Sequence, residues 1–400
     1  MKNILILENT IQPYAWGSHS AIAEILGQPV PSDGPQAELW MGAHPKAPSK
    51  VVVDGKYQDL RQIIHADPDR ILGRKTAERF GGNLPFLFKV LAAARPLSIQ
   101  AHPDEKQAKA GFARENELKL PLGAPERNYR DDNHKPECIC ALTRFWALRG
   151  FRSIPEILGF FTPLKTRTVV TLVRELKLRQ DAGGLRRFFT GIMGMTPQER
   201  NALITELMSH GEKLKDASPE WDWILKLQRE YPGDVGVLGP LLLNLICLEP
   251  GEAMFLAAGE LHAYLDGAGI ELMANSDNVI RGGLTSKHVD VDELLAVLNF
   301  DQAPVTVFQP VSIRSCERRY PVDLAEFELS VISTDSECVY TCDDHTGPAI
   351  LLCTGGAGAI QSGNQTIAIN RGTSLLIPDV TASYRIAGDC VLYKAGIGRV

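Results

Sequence analysis

Nowhere does the 400-residue chain contain an apolar stretch approaching the ~20 residues of a membrane span. The apolar run Ile4 to Leu7 meets Glu8 and Asn9 at once, too short for the apolar segment of a secretory leader. Positive charge is in deficit: 42 Lys and Arg stand against 48 Asp and Glu, a formal net charge of −6. That balance excludes a general nucleic-acid binder, so any anionic ligand must be held by a local basic cluster. No glycine-rich nucleotide-binding element is present. The eight cysteines show no paired metal spacing, and Cys138 and Cys140 read as buried thiols on an apolar strand. These absences predict a cytoplasmic protein of two or three domains, with neither membrane nor nucleic acid as partner.

What is present centres on Leu97-Ser98-Ile99-Gln100-Ala101-His102-Pro103-Asp104. Read as a strand, it puts Ser98, Gln100 and His102 on one face and the apolar residues on the other. Two later segments repeat the design. Lys135 and Glu137 share a face in Asn133-His134-Lys135-Pro136-Glu137, and Glu260, His262 and Tyr264 share one in the segment 260–264. If the three strands line one barrel, Gln100, His102, Glu137 and His262 converge as an N/O ligand set suited to a borderline divalent ion such as zinc. The argument is one of strand parity, since no spacing here is a compact metal signature. His44, before Pro45, is a further possible ligand but reads better as a loop histidine.

Along the chain, residues 1–60 are rich in β signals, including a turn at Asp54-Gly55, and 57–80 read as short helices. Phe86 to Leu91 is a buried strand carrying one charge, Lys89, read as the anchor of an anion. Residues 105–132 read as a charged loop. From about 152 to 231 apolar residues fall at helical spacing, with a capping box at Thr196 and a helix start at Ser218-Pro219. β signals return from Leu242 onward, with a short helix in the 290s. Gly251 to His262 overlays Gly372 to Ser383 without a gap, histidine in the first copy standing where serine stands in the second. Two related barrels are expected, the first alone equipped for metal, in small jelly rolls of the cupin kind.

The strings QPYAWGS (12–18), ELWMGAHP (38–45), PFLFKVL (85–91), PLSIQAHPD (96–104), NHKPE (133–137), GEAMFLAAGELHAYL (251–265) and SDNVIRGGLTSK (276–287) resemble type I phosphomannose isomerases. The resemblance runs to about residue 300 and is loose over the last ninety. It implies a mainly β fold with an α insert: a catalytic cupin from 1–151 with 232–308, a helical insert at 152–231, and a metal-free cupin-like domain at 309–400. It implies one zinc per chain on Gln100, His102, Glu137 and His262. It also implies a catalytic Arg281, and a pocket lined by Lys89, Ser98, Lys135, Tyr264, Glu271 and Lys287. The implied reaction interconverts mannose 6-phosphate and fructose 6-phosphate through a cis-enediol, in a monomer acting on a small sugar phosphate. Leu261 and Ser286 stand where proline is frequent in the family.

Negative charge on two adjacent oxygens is the obstacle in such a reaction, and a Lewis acid beside a guanidinium meets it. Arg281 holds its proton too firmly to be a base, so the proton carrier is sought among Glu271, His134 and Lys135, with Glu271 preferred. Lys89 with Ser98 is the first choice for the phosphate, Lys287 the second. Two other classes fit less well: an iron(II) oxygenase using two histidines and a carboxylate, and a sugar-phosphate sensor without turnover.

Overall fold

Alternation of strand faces accounts for the way the molecule is layered. In the computed structural model, which describes residues 4–53, 55–302 and 304–398, the strand Phe86–Ala93 is buried throughout. Phe86, Phe88 and Val90 enter one apolar core, whereas Leu87, Leu91 and Ala93 enter two smaller ones on the other face. The strand Glu328–Thr334 behaves alike: Leu329 and Val331 join the core of Phe88, and Ile332 faces the opposite way. The architecture is mainly β, and two large antiparallel sheets pack back to back through that shared core. Asp54, half of the expected turn at Asp54-Gly55, lies outside the described residues.

The first sheet has ten strands, with His262–Ala274 at its centre. This long strand pairs with Phe86–Ala93, Glu137–Ala141 and Phe145–Phe151, and its first residue pairs with Gln100 of the short strand Ile99–Ala101. On its other side Ile99–Ala101 pairs with Ile280–Gly283, which sets Arg281 opposite Gln100. One strand therefore brings together segments far apart in sequence. The second sheet has nine strands, and the segment Leu5–Ile6 joins it at Leu375 and Leu376.

The repeat seen in the sequence recurs in the backbone. Gly251 and Gly372 both adopt φ +87°, and each is followed two residues later by a four-residue strand, Ala253–Leu256 or Ser374–Ile377. Thirteen-residue strands then begin at His262 and Tyr384, and their glycines Gly267 and Gly388 have φ +116° and +117°. These positive φ values favour glycine, so the repeat is written in turn chemistry more than in side chains.

Helices run consecutively from Ile154–Phe161 to Pro219–Glu230. Capping boxes at Ser153 with Glu156 and Thr196 with Glu199 start two of them. Their apolar stripes pack on Ile99, Leu148 and Phe151, so the helices buttress the sheet that carries the site. No helix among the described residues is long and apolar enough to cross a membrane.

Two sequence readings need correction. Residues 105–117 form a 13-residue helix where a loop was expected, started by a capping box between Asp104 and Gln107. Its apolar stripe is thin because Gly111 takes the contact: a Cβ there would meet the Tyr129 ring at 2.3 Å. The cysteines, read as unpaired, include one disulfide, Cys316–Cys338, across 22 residues; the other six are free, Cys138 and Cys140 buried among them.

Candidate metal centre and adjoining cavity

The polar faces of three strands meet at one buried point. Nε2 of His102 lies 3.4 Å from one oxygen of Glu137, and Nε2 of His262 lies 3.4 Å from the other. Backbone carbonyls fix both rings: Nδ1 of His102 donates to the Asn278 carbonyl at 2.7 Å, and Nδ1 of His262 to that of Glu260 at 2.9 Å. Each imidazole therefore turns the lone pair of Nε2 toward the carboxylate, the tautomer a metal ligand needs. The amide of Gln100 faces His262 Nε2 at 3.4 Å, and a half-turn about its last bond presents oxygen to the same point.

This arrangement is costly as it stands. His102 Nε2 and Glu137 Oε2 are buried with no hydrogen-bond partner. Burial, with Lys135 nearby, pushes the His102 imidazole down to about 4, so its ring is neutral at ordinary pH. Burial opposes ionisation of Glu137, yet Lys135 and the histidines hold its carboxyl well below the usual range. Two imidazole nitrogens, one carboxylate and an amide, with donor atoms of the first three within 4.8 Å of one another, fit a divalent ion.

Beside this point opens a cavity of about 390 Å³, lined in part by Lys89, Ser98, Gln100, Arg130, Lys135, Arg281 and Lys287. Arg281 and Lys287 have lowered pKa values, from burial first and then from neighbouring cations, Arg130 acting on both. No ion pair occupies Arg130, Arg281 or Lys287 among the described residues. Three cations without an ion-pair partner among the described residues thus share one cavity wall, which Glu38 and Asp277 also line.

Sequence reasoning missed Arg130, since it falls in the stretch read as loop. Its placement has a cause. Glu115 accepts from the backbone N–H groups of Asn128 and Tyr129, and Asn278 Oδ1 accepts from that of Arg130 at 2.7 Å. Asn278, fully buried, thereby fixes both His102 and Arg130. The capping box at Asp104 was the signal that could have revealed this helix-supported wall.

Two expected positions are relocated, and His44 lies in a loop as read. Lys89 does not offer a free ammonium: register sets it opposite Glu271, whose carboxylate it meets at 2.8 Å, with Glu38 at 3.8 Å. Burial disfavours its charge, but Glu271 and Glu38 outweigh that and raise its pKa. The phosphate-anchor reading of Lys89 is therefore corrected to an ion pair. His134 points to the other side of its segment from Glu137, and its Nε2 meets Glu326 at 2.7 Å, away from the cavity. Its candidacy as proton carrier fails on that geometry. His44 is no ligand: it is buried 3.6 Å from Asp277, and burial lowers its pKa to about 4.

The other candidates gather near the centre. Lys135 meets Glu137 at 2.9 Å. Glu271 is 3 % exposed, and burial raises its pKa despite Lys89. Tyr264 is buried with its ring 6.1 Å from that of His262.

A mainly β protein with a buried N/O cluster that fits a divalent ion, beside a cavity lined with cations, is the class this geometry defines. A family model described as phosphomannose isomerase type I, catalytic domain, matches residues 4–154. The chain is 41% identical to the mannose-6-phosphate isomerase of Escherichia coli (strain K12) over 375 residues, 93% of this chain and 94% of that one. It is 35% identical to mannose-6-phosphate isomerase 1 of Arabidopsis thaliana, over 98% and 93% of the two chains. A solved structure of zinc-bound mannose 6-phosphate isomerase superposes with a TM-score of 0.93, at 36% identity and full coverage of both chains. The chain belongs to the type I phosphomannose isomerase family.

Proposed function

We propose that the protein interconverts mannose 6-phosphate and fructose 6-phosphate with one zinc ion held by Gln100, His102, Glu137 and His262. The observation that carries this reading is the pair of buried, partnerless ligand atoms, His102 Nε2 and Glu137 Oε2, beside three unpaired cations. A zinc ion held by these residues would supply Lewis-acid chemistry to the open sugar. Arg130, Arg281 and Lys287, with Ser98, hold the phosphate and the developing negative charge by fixed charge and hydrogen bonds. Lys135 orients Glu137. The proton that moves between C1 and C2, through a cis-enediol, is carried by the Lys89–Glu271 pair. Glu271 has the raised pKa that makes a carboxylate a better acceptor near neutral pH, and Lys89 lines the cavity.

The division proposed is a metal-bearing cupin of residues 1–151 and 232–308, a helical insert of 152–231 and a metal-free cupin-like unit from 309. The turn and strand repeat around Gly251 and Gly372 supports it. A reducing cytoplasm remains the proposed location on the strength of six free cysteines, against the one bridge.

The test is formation of fructose 6-phosphate from mannose 6-phosphate, before and after chelation and zinc return. Metal-free protein is expected to be inactive and zinc to restore it; full turnover by protein shown to hold no metal would refute the reading. A second expectation concerns Arg281→Lys, which keeps the charge but loses the planar fork. It should lower kcat by at least ~10-fold, about 1.4 kcal/mol of transition-state stabilisation, with little change in KM. An unchanged kcat removes Arg281 from the chemistry.

A further inference from the structure

The C-terminal sheet encloses a polar cluster that the isomerase reading does not use. Its interior is apolar, formed by residues such as Ile332, Leu351, Ile386 and Leu392. Into it are set Glu317, fully buried, and Lys394, 8% exposed. The Lys394 ammonium contacts the Glu317 carboxylate, Arg314 approaches it at 3.3 Å, and the Tyr340 hydroxyl donates to it at 3.0 Å. Burying such charges costs stability unless every polar atom is satisfied. Here they are not: Ser330 Oγ, Tyr384 Oη and His345 Nε2 are buried without a hydrogen-bond partner. Register joins these groups to one interior, Ser330 lying opposite Lys394, Cys342 opposite Tyr384 and Glu317 opposite Ile332.

A cavity of about 500 Å³ opens onto this cluster, lined by Arg314, Cys342, His345 and Lys394, with Arg74 and Lys75 across its mouth. It shares no lining residue with the cavity beside the metal centre. Its volume falls within the range of small-ligand sites.

We propose that this cavity is a second ligand site, built for a small anionic metabolite bearing a carboxylate or a phosphate. Glu317 lies behind the two cations and fixes them in place. Arg314 otherwise pairs with Asp344, whose side chain is 71% exposed and free to leave when a better anion arrives. Arg74 pairs only with exposed Glu78, and Lys75 forms no ion pair among the described residues. The remaining acids on the wall are engaged, Asp379 by the Gly347 N–H and Glu328 by Arg319. A carboxylate or phosphate takes the Arg314 fork in bidentate fashion, beside His345 Nε2, a buried atom of the cavity wall without a hydrogen-bond partner.

Inorganic phosphate is the probe, titrated calorimetrically into zinc-loaded protein at millimolar concentrations. Two sites per chain are expected. Lys287→Met should weaken one, and Arg314→Gln should weaken the other by roughly 10-fold while leaving kcat and KM for mannose 6-phosphate unchanged. Because Arg314 also holds Glu317, Lys75→Met provides an independent variant. It removes an exposed lysine of the cavity mouth that forms no ion pair among the described residues, so thermal stability should hold while phosphate binding at the second site falls several-fold. A single phosphate site in the unaltered protein overturns the proposal. So does a second site indifferent to both Arg314→Gln and Lys75→Met.

Discussion

Glu137→Gln is expected to cost at least about 10³-fold in kcat, roughly 4 kcal/mol, and to strip the protein of zinc. Three roles fail together. The ligand set loses its one anion, the two imidazoles lose the carboxylate that both face at 3.4 Å, and Lys135 loses the partner 2.9 Å away. An amide cannot neutralise the Lys135 ammonium, which is 8% exposed, so that cation moves toward the vacated ligand position and opposes metal entry. Metal content by atomic absorption and initial rates at saturating zinc measure both effects. Stoichiometric zinc with near-normal kcat in Glu137→Gln would remove this carboxylate from the centre.

The other large effect is on stability. Lys89→Met should destabilise the protein by about 3–5 kcal/mol, the cost of leaving one member of a buried ion pair uncompensated. Glu271 is then left at 3% exposure, with Glu38 and Glu137 nearby and no cation in contact. The double variant Lys89→Met, Glu271→Met should regain much of that loss, since an apolar pair of similar volume carries no buried charge. It should regain no activity. Denaturant unfolding of the two single variants and the double variant gives the coupling directly. A phosphate-anchoring lysine gives a different pattern: a raised KM for mannose 6-phosphate and unchanged unfolding. That pattern would transfer the proton-carrying role elsewhere.

Lys89 also marks the limit of sequence reading. Strand parity brought Gln100, His102, Glu137 and His262 to one point, because side-chain alternation depends only on counting by two. The same counting sets His134 on the face opposite Lys135 and Glu137, and there the chemistry of the residue type outweighed its position. What counting cannot supply is register. That Glu271 lies directly across from Lys89, 182 residues away, follows from how the strands slide into place. Arg130 escaped for another reason: its position depends on a helix whose buried face is made of Ala108, Gly111 and Glu115, with no run of large apolar residues to announce it. The helices near 196 and 218 were legible, since caps and proline there precede conventional stripes.

The strand Leu5–Ile6 has a consequence for biosynthesis. The Leu7 carbonyl accepts from Ser374, 367 residues later in the chain. At ribosomal speeds that interval is roughly 20–70 s. The first strand therefore waits outside the tunnel, unpaired, until nearly all of the polypeptide has emerged. Leu5 and the adjoining Leu7 complete the core they share with Leu39 and Leu376 when that later strand arrives. Closure of the C-terminal sheet thus follows synthesis of the strand at Ser374, and until it occurs the nascent chain presents an open β-edge to chaperones and to its neighbours on the same message.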